Sequence, residues 1–255
     1  VFFQEHERAM GILFMFVTMN DPLFYCPHPE TGILPPEEVH HLVRVLRMRS
    51  GDTILVTSGD GTCYQAILQE VTPKKATYRL GSQMPHSPRP YQVKIAVAPT
   101  RKPDRNEWMV EKMVELGIDE IWFVKTTHTH LETFNRVVNP DRIDKIAIAA
   151  MKQSGQFKLP RFHIGVEWSD FLAQQGESRG FIAYVPEKGT ASHLLSVAQG
   201  STNSLVLIGP EGDFTPEEVE MATQSGFELV SLGATRLRTE TAAVAACHIL
   251  HLAQL

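Results

Sequence analysis

Cysteine is scarce in this 255-residue chain: Cys26, Cys63 and Cys247 are all there is, and they lie far apart. No CxxC pair exists, which argues against zinc ribbons and redox dithiols. An odd count in a chain this long fits a reducing compartment, so a cytoplasmic location is expected. No stretch approaches the roughly 20 apolar residues that cross a bilayer, so no membrane is expected as a partner. There is no basic excess either. The net charge is −5, and a nucleic-acid partner would have to be met by a local patch. Phosphate-cradling signatures are absent, both GxxxxGK[ST] and GxGxxG, as is the GxSxG elbow of α/β-hydrolases. His128 with His130, and His248 with His251, are close in sequence. No third ligand accompanies them at a suitable spacing, so no metal is expected.

The composition is otherwise that of a globular protein, 43% hydrophobic and 21% charged, long enough for one large or two small domains. Residues 1–19 read as a non-core extension. Ile12–Val17 is apolar but short, without the basic start or the small-residue cleavage site of a signal peptide.

Residues 20–84 read as a small β-barrel. Thr53–Thr57, Cys63–Val71 and Ala76–Leu80 alternate partly with period two between the turn sequences Ser50-Gly51-Asp52, Ser58–Gly61 and Thr72–Lys75. One helix, about Pro36–Met48, puts Val39, Leu42, Val43 and Leu46 on one face and His40, Arg44 and Arg47 on another. That basic stripe is either a solvated face or a grip on nucleic acid.

Residues 85–91, with Pro85, Pro88 and Pro90, read as a linker. Strand and helix then alternate over 92–255. Strands are expected at Val93–Ala98, Ile121–Val124, Phe181–Val185, Leu205–Ile208 and Phe227–Leu232. Helices are expected at Asp104–Leu116, Pro140–Gln153, Thr215–Ser225 and Thr239–Ala253. Trp108, Met109, Met113 and Leu116 read as a buried helix face. This alternation argues an α/β domain with a mostly parallel sheet covered on both sides.

The most informative stretch is Leu205–Ala243. Two buried strands each run into a glycine loop and then a helix start: Ile208-Gly209-Pro210-Glu211-Gly212, and Leu232-Gly233 followed by Arg238-Thr239-Glu240-Thr241-Ala242. Glycine loops at neighbouring strand ends let a backbone wrap a small molecule closely. Glu211, Asp213 and Glu240 beside those loops suit a ligand carrying positive charge rather than a pyrophosphate. S-adenosylmethionine, with a sulfonium and an ammonium, is such a ligand. Glu218 and Glu240 are equally explained as first-turn residues facing a helix dipole.

These residues resemble the RsmE family of SPOUT-class methyltransferases, which methylate N3 of uridine 1498 in 16S small-subunit ribosomal RNA. The resemblance rests on GPEG at 209–212, Leu232-Gly233 and the RTETA run 238–242 in that order and separation. It extends from about Leu23 through His41–Arg47, Lys102, Glu111–Gly117, Gln153-Ser154 and Leu159-Pro160. It implies an α/β fold in which a SPOUT trefoil-knotted methyltransferase domain follows an N-terminal PUA-like β-barrel. It implies S-adenosyl-L-methionine held by three loops: Tyr184–Glu187 with Val185 and Pro186; Gly209, Pro210, Glu211 and Gly212; and Leu232, Gly233, Leu237, Thr239, Thr241 and Ala242. It also implies a homodimer, no metal, and 16S rRNA or the small ribosomal subunit as partner.

Within that frame Arg238 holds the uracil or its phosphate, and Glu211 or Glu240 accepts the imide proton. His40, Arg44, Arg47, Lys102 and Arg105 become RNA contacts. The usual second glycine after GPEG is Asp213 here. If that position needs a positive φ, the aspartate carries a modest steric cost. A catalytically silent RNA-binding relative, or a methyltransferase acting on another RNA, is the alternative.

Overall fold

The computed structural model describes residues 21–85, 87–174, 176, 178–184 and 191–255. The expectations for residues 1–19, Val185 and Pro186 therefore fall outside the described residues. The chain divides into two units. The first comprises the described residues up to Pro88 together with Met151–Lys158, and the second comprises Arg89–Ala150 and Leu159–Leu255.

The first unit is a small curled sheet. Strands β1 (Leu23–Tyr25), β2 (Thr53–Thr57), β3 (Tyr64–Val71) and β4 (Ala76–Gln83) pair in that order. β1 runs parallel to β2, and the remaining pairs are antiparallel. After β1 the chain bends back so that Ile33 bridges Thr77 at the far edge. The sheet thus nearly closes around Phe24, Leu42, Ile54, Val56, Leu68 and Tyr78. Alternation drives this: in β3, Ala66 and Leu68 point inward and Gln65, Ile67 and Gln69 outward. Residues 151–158 complete the unit. The Phe157 carbonyl accepts from the Gly61 amide (2.9 Å) and the Thr57 hydroxyl (3.1 Å), and Lys152 pairs with the buried Glu38.

The expected single helix is two windings. Helix α1 (Pro36–His40) passes into a π-helical stretch, His41–Leu46. The wider winding rotates the last turn, so Val39 and Leu42 are buried but Leu46 is 40% exposed. The winding ends at Arg47, whose φ of 55° lies in the left-handed region.

The second unit is a seven-stranded sheet in which every pairing is parallel. Its strands are β5 (Gln92–Val97), β6 (Glu120–Lys125), β7 (Arg161–Glu167), β8 (Arg179–Ala183), β9 (Ser192–His193), β10 (Asn203–Ile208) and β11 (Glu228–Ser231). The order is β7-β6-β5-β10-β8-β11-β9. β10 pairs with β5 on one side and β8 on the other, and Ser204–Ile208 is buried throughout, as a central parallel strand requires.

On one face lies an aromatic cluster, with Trp122, Phe171, Phe214 and Phe227 at its centre. On the other face α2 (Pro103–Leu116) packs against α8 (Thr239–Leu252), which also packs on β5. Ala243, Ala246 and Cys247 give α8 a narrow inner face. Burial pushes the Cys247 thiol up to about 12, so it is not a nucleophile.

α2 begins at Pro103 and stops at Gly117 (φ 88°). Its buried stripe is Asn106, Met109, Val110, Met113 and Val114. Trp108 falls off that stripe and is 43% exposed, contrary to the expected buried face. The remaining helices are α3 (Phe134–Val137), α4 (Pro140–Gln153), α5 (Trp168–Gln174), α6 (Leu194–Ala198) and α7 (Pro216–Gln224).

The end of the proline-rich linker is fastened rather than loose. Arg89 donates to the Gly117 carbonyl, to Asp119 (3.2 Å) and to His251 Nδ1 (3.0 Å).

Candidate active site

A parallel sheet binds ligands beyond the carboxyl ends of its strands, where the order of connections reverses. Here β10, β8 and β11 end side by side. The two glycine loops are not immediate neighbours, as the sequence suggests; β8 lies between them, and its last residue, Ala183, forms part of the wall.

Around these ends lies a cavity of about 940 Å³, within the range of roughly 300–1,000 Å³ typical of small-molecule sites. Its walls are Gly209–Glu211 and Asp213 from the loop after β10, and Leu232–Arg238 from the loop after β11 with Ser231 and Thr239 at its two ends. Ala242 of α8 and Arg105 of α2 complete the lining.

The first loop is a tight turn, with the Asp213 amide donating to the Pro210 carbonyl at 2.9 Å. Asp213 has φ 63°, which is the left-handed backbone the glycine-to-aspartate difference raised. Its Oδ1 accepts from the Phe214 amide at 2.8 Å, offsetting part of the steric cost. Gly209 is tightly packed: a Cβ there would stand 3.0 Å from Asp213 Oδ1 and 3.2 Å from the Phe214 ring, so those side chains would have to give by a few tenths of an ångström.

The two loops are tied together. Thr239 Oγ1 donates to the Gly209 carbonyl at 2.9 Å. Behind the first loop, α7 is anchored by a capping box between Thr215 and Glu218, and Glu218 Oε1 also accepts from the Thr127 amide at 2.7 Å.

His128, on that same segment, pairs its Nδ1 with the Asp213 carbonyl at 2.9 Å. Because a carbonyl only accepts, Nδ1 carries the proton. The ring lies against Gly212, where a Cβ would stand 3.2 Å from it. This brace joins residues 85 positions apart, and no local pattern in the sequence announces it.

Of the residues expected at the cofactor site, Gly209, Pro210, Glu211, Leu232, Gly233, Leu237, Thr239 and Ala242 all line the cavity. Gly212 faces His128 instead, and Thr241 points outward from α8. Arg238 lines the cavity and precedes the first turn of α8. Arg236, which the sequence reading passed over, lines it too; the signal was the alternation Arg236-Leu237-Arg238. Both arginines are exposed and have no side-chain partner among the described residues.

Glu211 Oε1 accepts from the Arg101 amide at 3.3 Å. Glu240 is buried and outside the lining, with its Oε1 3.5 Å from Arg105 Nε. The carboxylate-rich pocket suggested by sequence therefore becomes one lined by Arg105, Arg236 and Arg238 against Glu211 and Asp213.

Among the basic residues expected to meet RNA, His40, Arg44 and Arg47 are exposed on the first unit, with no ion-pair partner among the described residues. Lys102 is exposed and immediately precedes α2, where its carbonyl accepts from Thr100 Oγ1 at 3.1 Å. Among the described residues no group of three or more acidic, histidine or cysteine side chains could hold a metal ion, and no helix is long and apolar enough to cross a membrane.

Comparison with known proteins agrees with this geometry. Residues 87–251 match the RNA methyltransferase domain family, and residues 34–80 match the RNA methyltransferase PUA domain. The Ribosomal RNA small subunit methyltransferase E of Bacillus subtilis is 30% identical over 215 residues, covering 81% of this chain and 84% of its own length. A crystal structure from Porphyromonas gingivalis, titled "probable rRNA-methyltransferase", superposes with a TM-score of 0.84 at 38% identity, covering 91% of this chain and 98% of that one. The Ribosomal RNA small subunit methyltransferase E of Neisseria gonorrhoeae, solved with S-adenosyl methionine bound, gives a TM-score of 0.79 at 25% identity over the same shares. The glycine loops, the parallel sheet and these matches together place the chain in the RsmE family of RNA methyltransferases.

Proposed function

We propose that this protein transfers a methyl group from S-adenosylmethionine to N3 of uridine 1498 in 16S ribosomal RNA. The observation that carries the reading is the cavity itself. It is built from two glycine loops tied by Thr239, large enough for the donor, and lined by Arg236 and Arg238, which have no side-chain partner among the described residues, in a chain whose net charge is −5. Gly209, where a Cβ would be tight, and the open main chain around Gly233 (φ 134°) suit close backbone contact with an adenosine.

When bound, the donor supplies an electrophilic methyl on a positively charged sulfur. The residues of this chain do the rest. N3 of uracil must lose its imide proton before its lone pair can attack, and Glu211, at the cavity wall, is placed to take that proton. Arg238 and Arg236 face the negative charge that then spreads over the ring, which is how such groups accelerate a reaction. Positioning the base and the methyl within near-attack distance contributes much of the remainder. N3 lies on the pairing edge, so the nucleotide must enter unpaired or extruded. The exposed stripe His40, Arg44 and Arg47, together with Lys102, then contacts RNA backbone.

The same reading carries three structural expectations. The sheet order, with β10 lying between β5 and β8, both of which precede it in the chain, supports a trefoil-knotted path. The resemblance to the RsmE family supports a homodimer. Action on ribosomal RNA supports a cytoplasmic location.

Calorimetric titration with S-adenosylmethionine, followed by mass mapping of ribosomal RNA from a deletion strain, tests the proposal. Saturable binding and loss of one methyl at uridine 1498 are expected. An unaltered map refutes the assigned target, and absence of donor binding refutes the activity.

A further inference from the structure

Glu240 and Arg105 form an unequal pair. Glu240 is 8% exposed, is absent from the cavity lining, and has an Oε2 that is buried without a hydrogen-bond partner among the described residues. Among the described residues its one ion pair runs from Oε1 to Arg105 Nε at 3.5 Å. Arg105 is the reverse. It stands in the first turn of α2, forms part of the cavity wall, and keeps its side chain 32% exposed.

A group that accepts a substrate proton must come within hydrogen-bond reach of it, and the buried oxygen of Glu240 offers no such surface. What this carboxylate can do is fix a guanidinium. Arginine presents its donors as a rigid planar fork. With Nε turned to Glu240, the two terminal nitrogens remain for a second, bidentate contact. Among the described residues nothing else engages them. The matching ligand for that edge is an oxyanion.

We infer that Glu240 is a positioning residue for Arg105 rather than a proton acceptor, and that Arg105 grips an oxyanion of the ligands that meet in this cavity. Two sources share that chemistry: the carboxylate of the methyl donor and a phosphodiester next to the target nucleotide. The inference rests on the proposed methyl-donor cavity.

The test uses the full chain with Arg105→Ala, Arg105→Lys, Glu240→Gln and the double variant Arg105→Ala/Glu240→Gln. Three affinities are measured: for S-adenosylhomocysteine, for 5′-methylthioadenosine (the same thionucleoside with a methyl in place of the amino-acid tail that bears the carboxylate and ammonium), and for a 16S RNA fragment over a salt series. A carboxylate contact makes Arg105→Ala weaken S-adenosylhomocysteine about tenfold and leaves methylthioadenosine unchanged. A phosphate contact leaves both nucleosides unchanged, weakens RNA, and lowers the salt slope by about one.

In either case Glu240→Gln weakens the same ligand less strongly, Arg105→Lys fails to restore full affinity, and the double variant is no worse than Arg105→Ala alone. Normal affinity for all three ligands in Arg105→Ala overturns the inference. So does a Glu240→Gln enzyme with intact affinities and an abolished transfer step, which would mark Glu240 as the base. Arg105 is partly exposed, so its variants keep the test valid even if Glu240→Gln folds poorly. A native protein that binds neither nucleoside instead refutes the donor cavity, and the RNA arm still decides the role of Arg105.

Discussion

Thr239→Val isolates the strut between the two cavity loops. The side chains are nearly the same shape, so packing at this buried position is kept while the donor to the Gly209 carbonyl is lost. A buried acceptor stripped of its partner costs about 1–3 kcal/mol. The Gly209 position is only partly buried and water can reach it, so the expected loss is about 1 kcal/mol, or roughly 2–4 °C in melting temperature for a chain of this size. If the strut also sets the spacing of the loops, S-adenosylhomocysteine should bind about fivefold more weakly, the same free energy read as affinity. Thr239→Ser restores the hydroxyl and should restore both values. Urea denaturation and calorimetric titration on the three proteins provide the readout. A valine variant that melts early yet binds the nucleoside within about twofold of the native protein would show that the hydrogen bond holds the fold together without shaping the cavity.

Four further outcomes are expected. Burial, then the positive charge of Arg89, lowers His251 to about 4 from 6.5. Its neutral form is thus favoured by folding, and that stability is complete above 6.5 and lost as pH falls toward 4. The ceiling is about 3 kcal/mol, and for this partly buried ring, with Tyr91, Asp119 and His248 also facing it, about 1–2 kcal/mol survives screening. Urea curves at pH 7 and 4.5 should converge toward those of His251→Gln at the acid end; parallel pH dependence would count against the assignment. At Asp213, alanine keeps the positive φ and loses the acceptor for Phe214, so it should destabilise by about 1–2 kcal/mol, whereas glycine should stay within about 0.5 kcal/mol; equal urea midpoints would remove strain from the account. Arg238→Ala should abolish transfer in single-turnover assays with donor affinity nearly intact, and equal loss of both would contradict its placement toward the uracil. Arg44→Ala with Arg47→Ala should weaken RNA binding and flatten its salt dependence by about two in slope, whereas an unchanged slope would leave that face merely solvated.

Much of this architecture is legible along the chain because it is encoded locally. Pro140–Gln153 is bounded as expected, and the Thr215–Glu218 box starts α7 through the two reciprocal bonds its residue types provide. Gly117 stops α2 in the left-handed conformation. What escaped is non-local or weakly patterned. β7 is an edge strand with no fully buried residue, Gly165 in it has φ 76°, and its register slips against β6 near Phe123. It therefore shows neither a buried run nor a clean alternation. The π-helical winding after His40 shifts Leu46 to the surface, which a 3.6-residue period cannot foresee. At the site the glycine loops were readable, but the partnership of Arg105 with Glu240 and that of His128 with Asp213 are made only by folding.

The short segment 151–158 has a consequence for anyone who would treat the first unit as a detachable part. Its last contributors arrive some sixty residues after the rest of that unit has left the chain: Phe157 satisfies Gly61 and Thr57, Lys158 bridges Asp60, and Lys152 neutralises Glu38. A fragment cut at Pro88 would expose a buried glutamate and leave the Gly61 amide without its acceptor, while the Thr57 hydroxyl keeps its bond to the Thr62 carbonyl at 2.6 Å. Grafting this unit onto another enzyme, or exchanging it between relatives, means transplanting two separate pieces of sequence together.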